Sequence, residues 1–315
     1  MGRKYAKRSP KSAAVRLLNK MNPEIVRPNI VGLGEVLWDV FPDAAHFGGA
    51  PANFACHAAG LGGDAWVVSA VGRDKLGDEA LASLSVKNVH TLLLQRNEHP
   101  TGTVTVTLDA AKQASYVFAA DPAWNHIAWN ESLALLAKKC KAVCFGSLAQ
   151  SAPTSRRTIR EFLENTSPDC LRIFDVNLRQ AFFSCEIIES SLQLANVFKL
   201  NNDEVSVVAD LLGLPKDEKT FMLAVAQRFE LHTVALTRGA AGSLVWHKGQ
   251  YDELTAPKVT VVDTVGAGDS FTAALAIGLL RGEDLPQIHQ RAVDVAAFVC
   301  TKAGATPELL PEFRR

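Results

Sequence analysis

The chain has 315 residues, 48% of them hydrophobic and 21% charged, the composition of a globular protein with a sizeable core in one large α/β domain or two modest ones. Its formal net charge is zero, which argues against a nucleic-acid partner, and no segment reaches the roughly 18 apolar residues of a membrane span. Six scattered cysteines without CxxC spacing read as reduced thiols of a cytoplasmic protein.

Charge is placed unevenly. Residues 1–28 carry eight Lys/Arg against the single acid Glu24, and the remainder carries 25 basic and 32 acidic residues. The basic stretch lacks an apolar core of its own, so it is not a secretory leader. It reads as a disordered extension ahead of a folded unit at 29–315.

That unit opens on an apolar strand, Asn29-Ile30-Val31-Gly32-Leu33-Gly34. Leu37 stands where a dinucleotide fingerprint needs its third glycine, and alternation continues where a helix should begin. A Rossmann cofactor site is therefore rejected. Asp39 at the end of this run is a carboxylate suited to sugar hydroxyls, or a turn residue before Pro42. Gly48-Gly49 then break the chain, and Pro51 suits the first turn of a helix of small residues. Asn53 in that first turn is either a capping side chain or a contact for a bound polyol. His57, further along the helix, reads as a packed residue.

A strand at 65–71 leads through a glycine-flanked turn to a helix at about 76–86. Residues 102–109 alternate with period two, 110–113 turn, and 114–119 return, predicting a hairpin. From 131 onward strands and helices alternate. Helices are expected at 131–139, 153–165, 186–195, 203–212, 218–230, 270–281 and 285–302. Strands are expected at 142–145, 171–176, 197–200 and 233–237, with an antiparallel one at 242–246. Short apolar strands between helices predict a mostly parallel sheet covered on both faces. Alternation at Asp175-Val176-Asn177-Leu178-Arg179 puts the three polar side chains on one side at a strand's C-terminal end, where ligands of open α/β sheets collect. Arg179 there could hold a phosphate or hydroxyl cluster, or pair with Asp175.

The stretch Val261-Val262-Asp263-Thr264-Val265-Gly266-Ala267-Gly268-Asp269-Ser270 reads as strand, tight turn and helix. Its glycines permit close backbone approach, and the free N–H groups and positive dipole end of the helix favour an anion such as phosphate. Asp269 would repel that anion unless it serves to take a proton from an attacking hydroxyl, as phosphoryl transfer to an alcohol requires.

The string at 263–269 resembles the C-terminal signature of the ribokinase/PfkB family of carbohydrate kinases. Glu35–Asp39 with Gly48-Gly49-Ala50-Pro51-Ala52-Asn53 is similar to the family's N-terminal signature in its fructokinase-like form. Asp175-x-Asn177-x-Arg179 resembles an element of the fructokinase and ketodeoxygluconate-kinase branches, and Asn201-x-x-Glu204 matches a further family element. Together these cover roughly residues 29–310.

The resemblance implies a ribokinase-like α/β fold with a small β-sheet lid drawn from about 35–50 and 91–120, a surface that also serves dimers. It implies Asp269 as general base and the backbone of Gly266, Ala267 and Gly268 as anion hole. Asp39, Gly48, Gly49, Asn53, Asp121 and Arg179 would meet the sugar. Asn201, Glu204, Thr237, Gly239, Gly242 and Gly268 would meet ATP, with Mg²⁺ held through water near Glu204. A monovalent cation such as K⁺ would sit at the backbone of Asp263, Val265 and Gly304. Fructose is the expected sugar, with 2-keto-3-deoxygluconate or ribose as alternatives. A sugar-binding regulator would need a broken anion hole or a missing base, and the sequence has neither.

Overall fold

The computed structural model describes residues 27–108 and 114–314. The basic extension up to residue 26 and the expected hairpin turn at 110–113 lie outside the described residues. In chain order the elements are β1 (Asn29–Leu33), β2 (Leu37–Val40), β3 (Ala45–Gly48), α1 (Ala50–Gly60), β4 (Asp64–Val68), β5 (Ala70–Gly72) and α2 (Lys75–Val86). There follow β6 (Gln95–Asn97), β7 (Gly102–Leu108), β8 (Ala114–Phe118), α3 (Glu131–Lys139), β9 (Ala142–Phe145), α4 (Pro153–Glu164), β10 (Leu171–Asp175) and α5 (Cys185–Leu194). The C-terminal part holds β11 (Val197–Asn201), α6 (Asn202–Leu212), α7 (Glu218–Arg228), β12 (Thr233–Thr237), β13 (Ser243–His247), β14 (Gln250–Leu254), α8 (Ala267–Arg281) and α9 (Leu285–Cys300).

The main sheet has the order β14-β13-β12-β11-β10-β9-β1-β4. Its strands from β12 to β4 are parallel, and β13 and β14 close one edge as an antiparallel pair. Successive strand residues point to opposite faces, and both faces are apolar. Phe145, Phe174 and Phe198 pack with Leu133, Ile159 and Phe162 on one side. On the other, Ile30, Ile173 and Val197 meet Phe54, Phe271, Leu275 and Ile288 of α1, α8 and α9. Each fully buried Phe contributes about 2–3 kcal/mol of transfer free energy, so the sheet is a rigid base for whatever gathers at its strand ends. No helix among the described residues is long and apolar enough to cross a membrane.

A second sheet, β3-β2-β7-β8, is the small sheet expected from the hairpin and the Asp39 region. Its extent is narrower than expected: residues 95–97 form β6, which pairs with β5 in a sheet of its own. The strand expected at 65–71 is accordingly two strands, β4 in the main sheet and β5 with β6, divided at Ser69. The β-branched run at 261–262 is not a strand. Val261 and Val262 are 58% and 61% exposed, and the N–H groups of Val262 and Asp263 donate to the Cys300 carbonyl at the end of α9. β-Propensity without a neighbouring strand does not make a ladder. The edge strand β14, polar and mostly exposed, carries no apolar alternation and escapes sequence reading.

Candidate active site

The C-terminal ends of the parallel strands converge on the N-terminus of α8. Gly266 caps that helix with φ 78°, and a Cβ there would stand 2.0 Å from the Ala305 carbonyl oxygen. Only glycine allows the two loops to approach so closely. The same loops are stitched by Asp263, whose carboxylate accepts from the N–H groups of Val265 and Gly304, each at 3.0 Å. His57, in the interior of α1, makes a 2.9 Å contact with the Ala305 carbonyl, so this packed histidine also steadies the turn. Asp263, Val265 and Gly304, expected at a monovalent cation, are therefore brought together, with the Asp263 side chain as their tie.

At the first turn of α8 the N–H groups have no acceptor within their own helix. Ala267 N–H turns back to Thr264 at 3.3 Å, and Gly268 and Asp269 come next. The Asp269 carboxylate accepts a 2.8 Å hydrogen bond from the Asn53 amide of α1. A small void lined by Ala50, Pro51, Phe54, Phe145, Gly146, Asp175 and Asp269, with room for about one water molecule, lies against it. Desolvation, followed by the Asp175 charge, pushes the Asp269 carboxyl up to about 6, against the opposing pull of Asn53, Lys199 and Arg179. A carboxylate with that affinity for protons, half-buried at a helix N-terminus, is suited to general base work near neutral pH.

Behind Asp269 lies a buried charge network that sequence reasoning did not assign. Lys199, 6% exposed, donates to Asp175 at 3.2 Å. The Thr272 hydroxyl meets the second Asp175 oxygen at 3.0 Å. A Cβ on Gly268 would lie 3.1 Å from Lys199 Nζ, which puts the ammonium beside the α8 N-terminus. Burial alone would lower the Lys199 pKa, but Asp175, Glu204 and Asp269 around it carry it above the ordinary lysine value. Glu35, in the link between β1 and β2, is 3% exposed and its carboxyl is pushed up to about 7, chiefly by burial, with Asp269 adding to the effect. Its Oε2 and the Asn53 Oδ1 are buried without a hydrogen-bond partner among the described residues. A lysine inside the apolar Val197-Phe198-Lys199-Leu200 strand was the available signal, since charges are rarely buried unpaired.

Asp39 on β2 joins the same region. A Cβ on Gly48 would lie 3.1 Å from its carboxylate, and its pKa is raised by desolvation despite the pull of Arg179. Gly49 has φ 105°, and a Cβ there would meet the Glu35 carbonyl at 2.6 Å, so glycine is required at this crossing. The Asp175–Arg179 alternation is not kept: β10 ends at Asp175, and Asn177 adopts φ 41°. Asp175 pairs with Lys199, not Arg179. Arg179 is exposed, yet its charge is felt at Glu35, Asp39 and Asp269.

The expected nucleotide residues lie at adjacent strand ends, with Asn201 and Thr237 register partners. Asn201 is the N-cap of α6. It accepts from the N–H groups of Asp203 and Glu204, and Glu204 reciprocates to Asn201 N–H at 2.8 Å, a capping box. The other Glu204 oxygen accepts from Leu178 N–H at 2.8 Å. Each carboxylate oxygen retains a lone pair, which fits an outer-sphere contact to a hydrated Mg²⁺ better than direct ligation. Gly239 and Gly242 close a tight turn after β12, with Arg238 N–H donating to Gly242 at 2.7 Å. Asp121 is not drawn into the Asp269 cluster. Its carboxylate faces His99 and His126 instead.

Comparison with known proteins places this arrangement. Residues 33–312 match the model of the pfkB family of carbohydrate kinases. An uncharacterized sugar kinase of Pyrococcus horikoshii is 32% identical over 269 residues, covering 82% of each chain. Its structure in complex with ATP superposes with a TM-score of 0.76 over 88% of this chain and 94% of that one. A fructokinase of Escherichia coli is 30% identical over 272 residues, covering 78% of this chain and 83% of the other. The fold is shared by the 2-dehydro-3-deoxygluconokinase of Thermotoga maritima, with a TM-score of 0.79 at 20% identity over 90% of this chain and 96% of that one. With a ribokinase-like fold and the family's model matched over nearly its whole length, the chain belongs to the pfkB family of carbohydrate kinases.

Proposed function

We propose that the protein is an ATP-dependent sugar kinase that transfers the γ-phosphoryl group to a sugar hydroxyl, with fructose as first substrate. The carrying observation is the placement of Asp269 at the N-terminus of α8, held by Asn53 beside Lys199, with a proton affinity raised toward neutral pH. Asp269 accepts the proton of the attacking hydroxyl. The helix N-terminus at Gly266, Ala267 and Gly268 stabilises charge on the transferring group, and Lys199 adds a fixed positive charge there. Asp39, Gly48, Gly49 and Asn53 hold the sugar, Glu35 Oε2 and Asn53 Oδ1 supplying acceptors that lack a protein donor. Asn201, Thr237, Gly239 and Gly242 carry the nucleotide. Mg²⁺, held through water by Glu204, would neutralise phosphate charge.

Fructose is favoured by the E. coli relative. A sugar acid such as 2-keto-3-deoxygluconate is the second reading, because the positive field of exposed Arg179 reaches Glu35, Asp39 and Asp269 and could pair with a substrate carboxylate. Free cysteines and the need for ATP favour the cytoplasm. The small sheet, with Val117 61% exposed on β8, is the proposed lid and homodimer surface. An ADP-release assay with Mg·ATP against fructose, ribose and 2-keto-3-deoxygluconate, in K⁺ and in Na⁺, tests the reading. Turnover of fructose orders of magnitude above the others in kcat/KM is expected. Silence across the panel with intact sugar binding would discard the kinase reading.

A further inference from the structure

Outside the Asp269 site, one side-chain cluster combines two imidazoles and a carboxylate. His99 Nδ1 lies 3.0 Å from one Asp121 oxygen, and His126 Nε2 lies 2.7 Å from the other. The two rings stack at 3.6 Å with an interplanar angle of 11°. The three ligand atoms all lie within 4.8 Å of one another. Their backbones are anchored at separate points. The backbone N–H of His99 donates to Asn97 Oδ1 at 3.0 Å. His126 ends a short 3₁₀ turn, Ala123–His126, whose Trp124 is 2% exposed and whose carbonyl at Trp124 accepts from Ser155. Asp121 adopts φ 46°, a left-handed conformation uncommon for a residue other than glycine, and each of its carboxylate oxygens faces one ring nitrogen.

We propose that His99, Asp121 and His126 form a binding site for one borderline transition-metal ion, Zn²⁺ above all, with water as the remaining ligand. Zn–N and Zn–O bonds of about 2.0–2.1 Å in a tetrahedron place ligand atoms roughly 3.3 Å apart, within the 4.8 Å that spans one atom of each residue, and because an imidazole lone pair lies in its ring plane, one of the two stacked rings turns to face the same ion. Side-chain exposures of 34–59% leave an open position for that water. Two nitrogens with one carboxylate suit Zn²⁺ and its neighbours, whereas Mg²⁺ prefers oxygen alone. Position gives the site a consequence. His99 precedes β7, Asp121 follows β8, and His126 belongs to the turn packed on α4. A bound ion would clamp both ends of the small-sheet hairpin to the body of the protein.

The test uses the full chain, stripped with chelator and free of nucleotide, titrated with ZnCl₂ by calorimetry and with Co²⁺ by visible absorption. One Zn²⁺ per chain is expected, uncontested by excess Mg²⁺. His99→Gln and His126→Gln should each weaken it by more than the 10–100-fold typical of losing an outer-shell partner. Asp121→Asn removes the charged ligand while keeping a residue at ease at positive φ, so it separates ligand loss from misfolding. All variants should melt near the wild-type temperature in chelator. Absence of Zn²⁺ binding, undiminished binding in the variants, or thiolate charge-transfer bands in the Co²⁺ spectrum would overturn the site. None of these measurements uses turnover, so the outcome is independent of the kinase reading.

Discussion

The Asn53 amide donates to the Asp269 carboxylate at 2.8 Å across 216 positions of sequence, tying the first turn of α1 to the first turn of α8. That bond favours the charged form of Asp269 and opposes the desolvation that raises its pKa. Asn53→Ala should therefore raise the Asp269 pKa further and move the acid limb of kcat/KM to higher pH. The rate should fall more at pH 6 than at pH 8. An unmoved limb would show that the bond does not tune the base.

In the wild type, the acid limb of kcat/KM should fall with a midpoint near pH 6, the value to which Asp269 is pushed. Glu35, pushed to about 7 chiefly by burial, feels the Asp269 charge as a smaller effect. A pH–rate profile in the free-substrate regime checks this. A flat profile between pH 5 and 8 would exclude Asp269 as the base.

Asp269→Asn should abolish most turnover, by about 10²–10⁴-fold, without unfolding the protein. The raised folded-state pKa means that the native state holds the extra proton below about pH 6, and that this stability is lost as pH rises through that value. A neutral Asn is free of that loss and keeps an acceptor for Asn53. The variant should therefore match or exceed wild-type stability at pH 8, by about 1–3 kcal/mol, with a shallower pH slope. Denaturant titration at pH 5 and 8 measures both.

Lys199→Met leaves Asp175, 4% exposed, without its cation. Breaking a buried pair in this way costs about 3–5 kcal/mol. Adding Asp175→Leu should restore part of that stability while leaving turnover low. Equal stability of the single and double variants would mean that the pair is not coupled in the folded protein.

Gly266→Ala drives a Cβ to within 2.0 Å of the Ala305 carbonyl at φ 78°. It should lower kcat at least tenfold by parting the loops at the α8 N-terminus. Gly213 is a control, with φ 65° at the end of α6 and nothing within 4 Å of its Cβ position. Gly213→Ala should cost about 1 kcal/mol from backbone strain and leave kcat unchanged.

Local pattern determined much of this protein by itself. Short apolar strands alternating with helix-forming stretches settle a mostly parallel sheet. The glycine-rich turn before Asp269 marks a helix N-terminus with free N–H groups, because backbone N–H exposure and φ > 0 are properties of a few consecutive residues. Asp39 and Asn53 were legible as polar residues without a local reason. The partnerships were decided by tertiary structure. Asn53 meets Asp269, and Lys199 meets Asp175 instead of leaving that acid to Arg179, because neighbouring strand ends are set by sheet order. Asp121 faces His126, five residues on, and His99, which the hairpin pairing of β7 with β8 brings back beside it. The β-branched Val261-Val262 run became a loop, since a strand needs a partner that only the assembled sheet can supply.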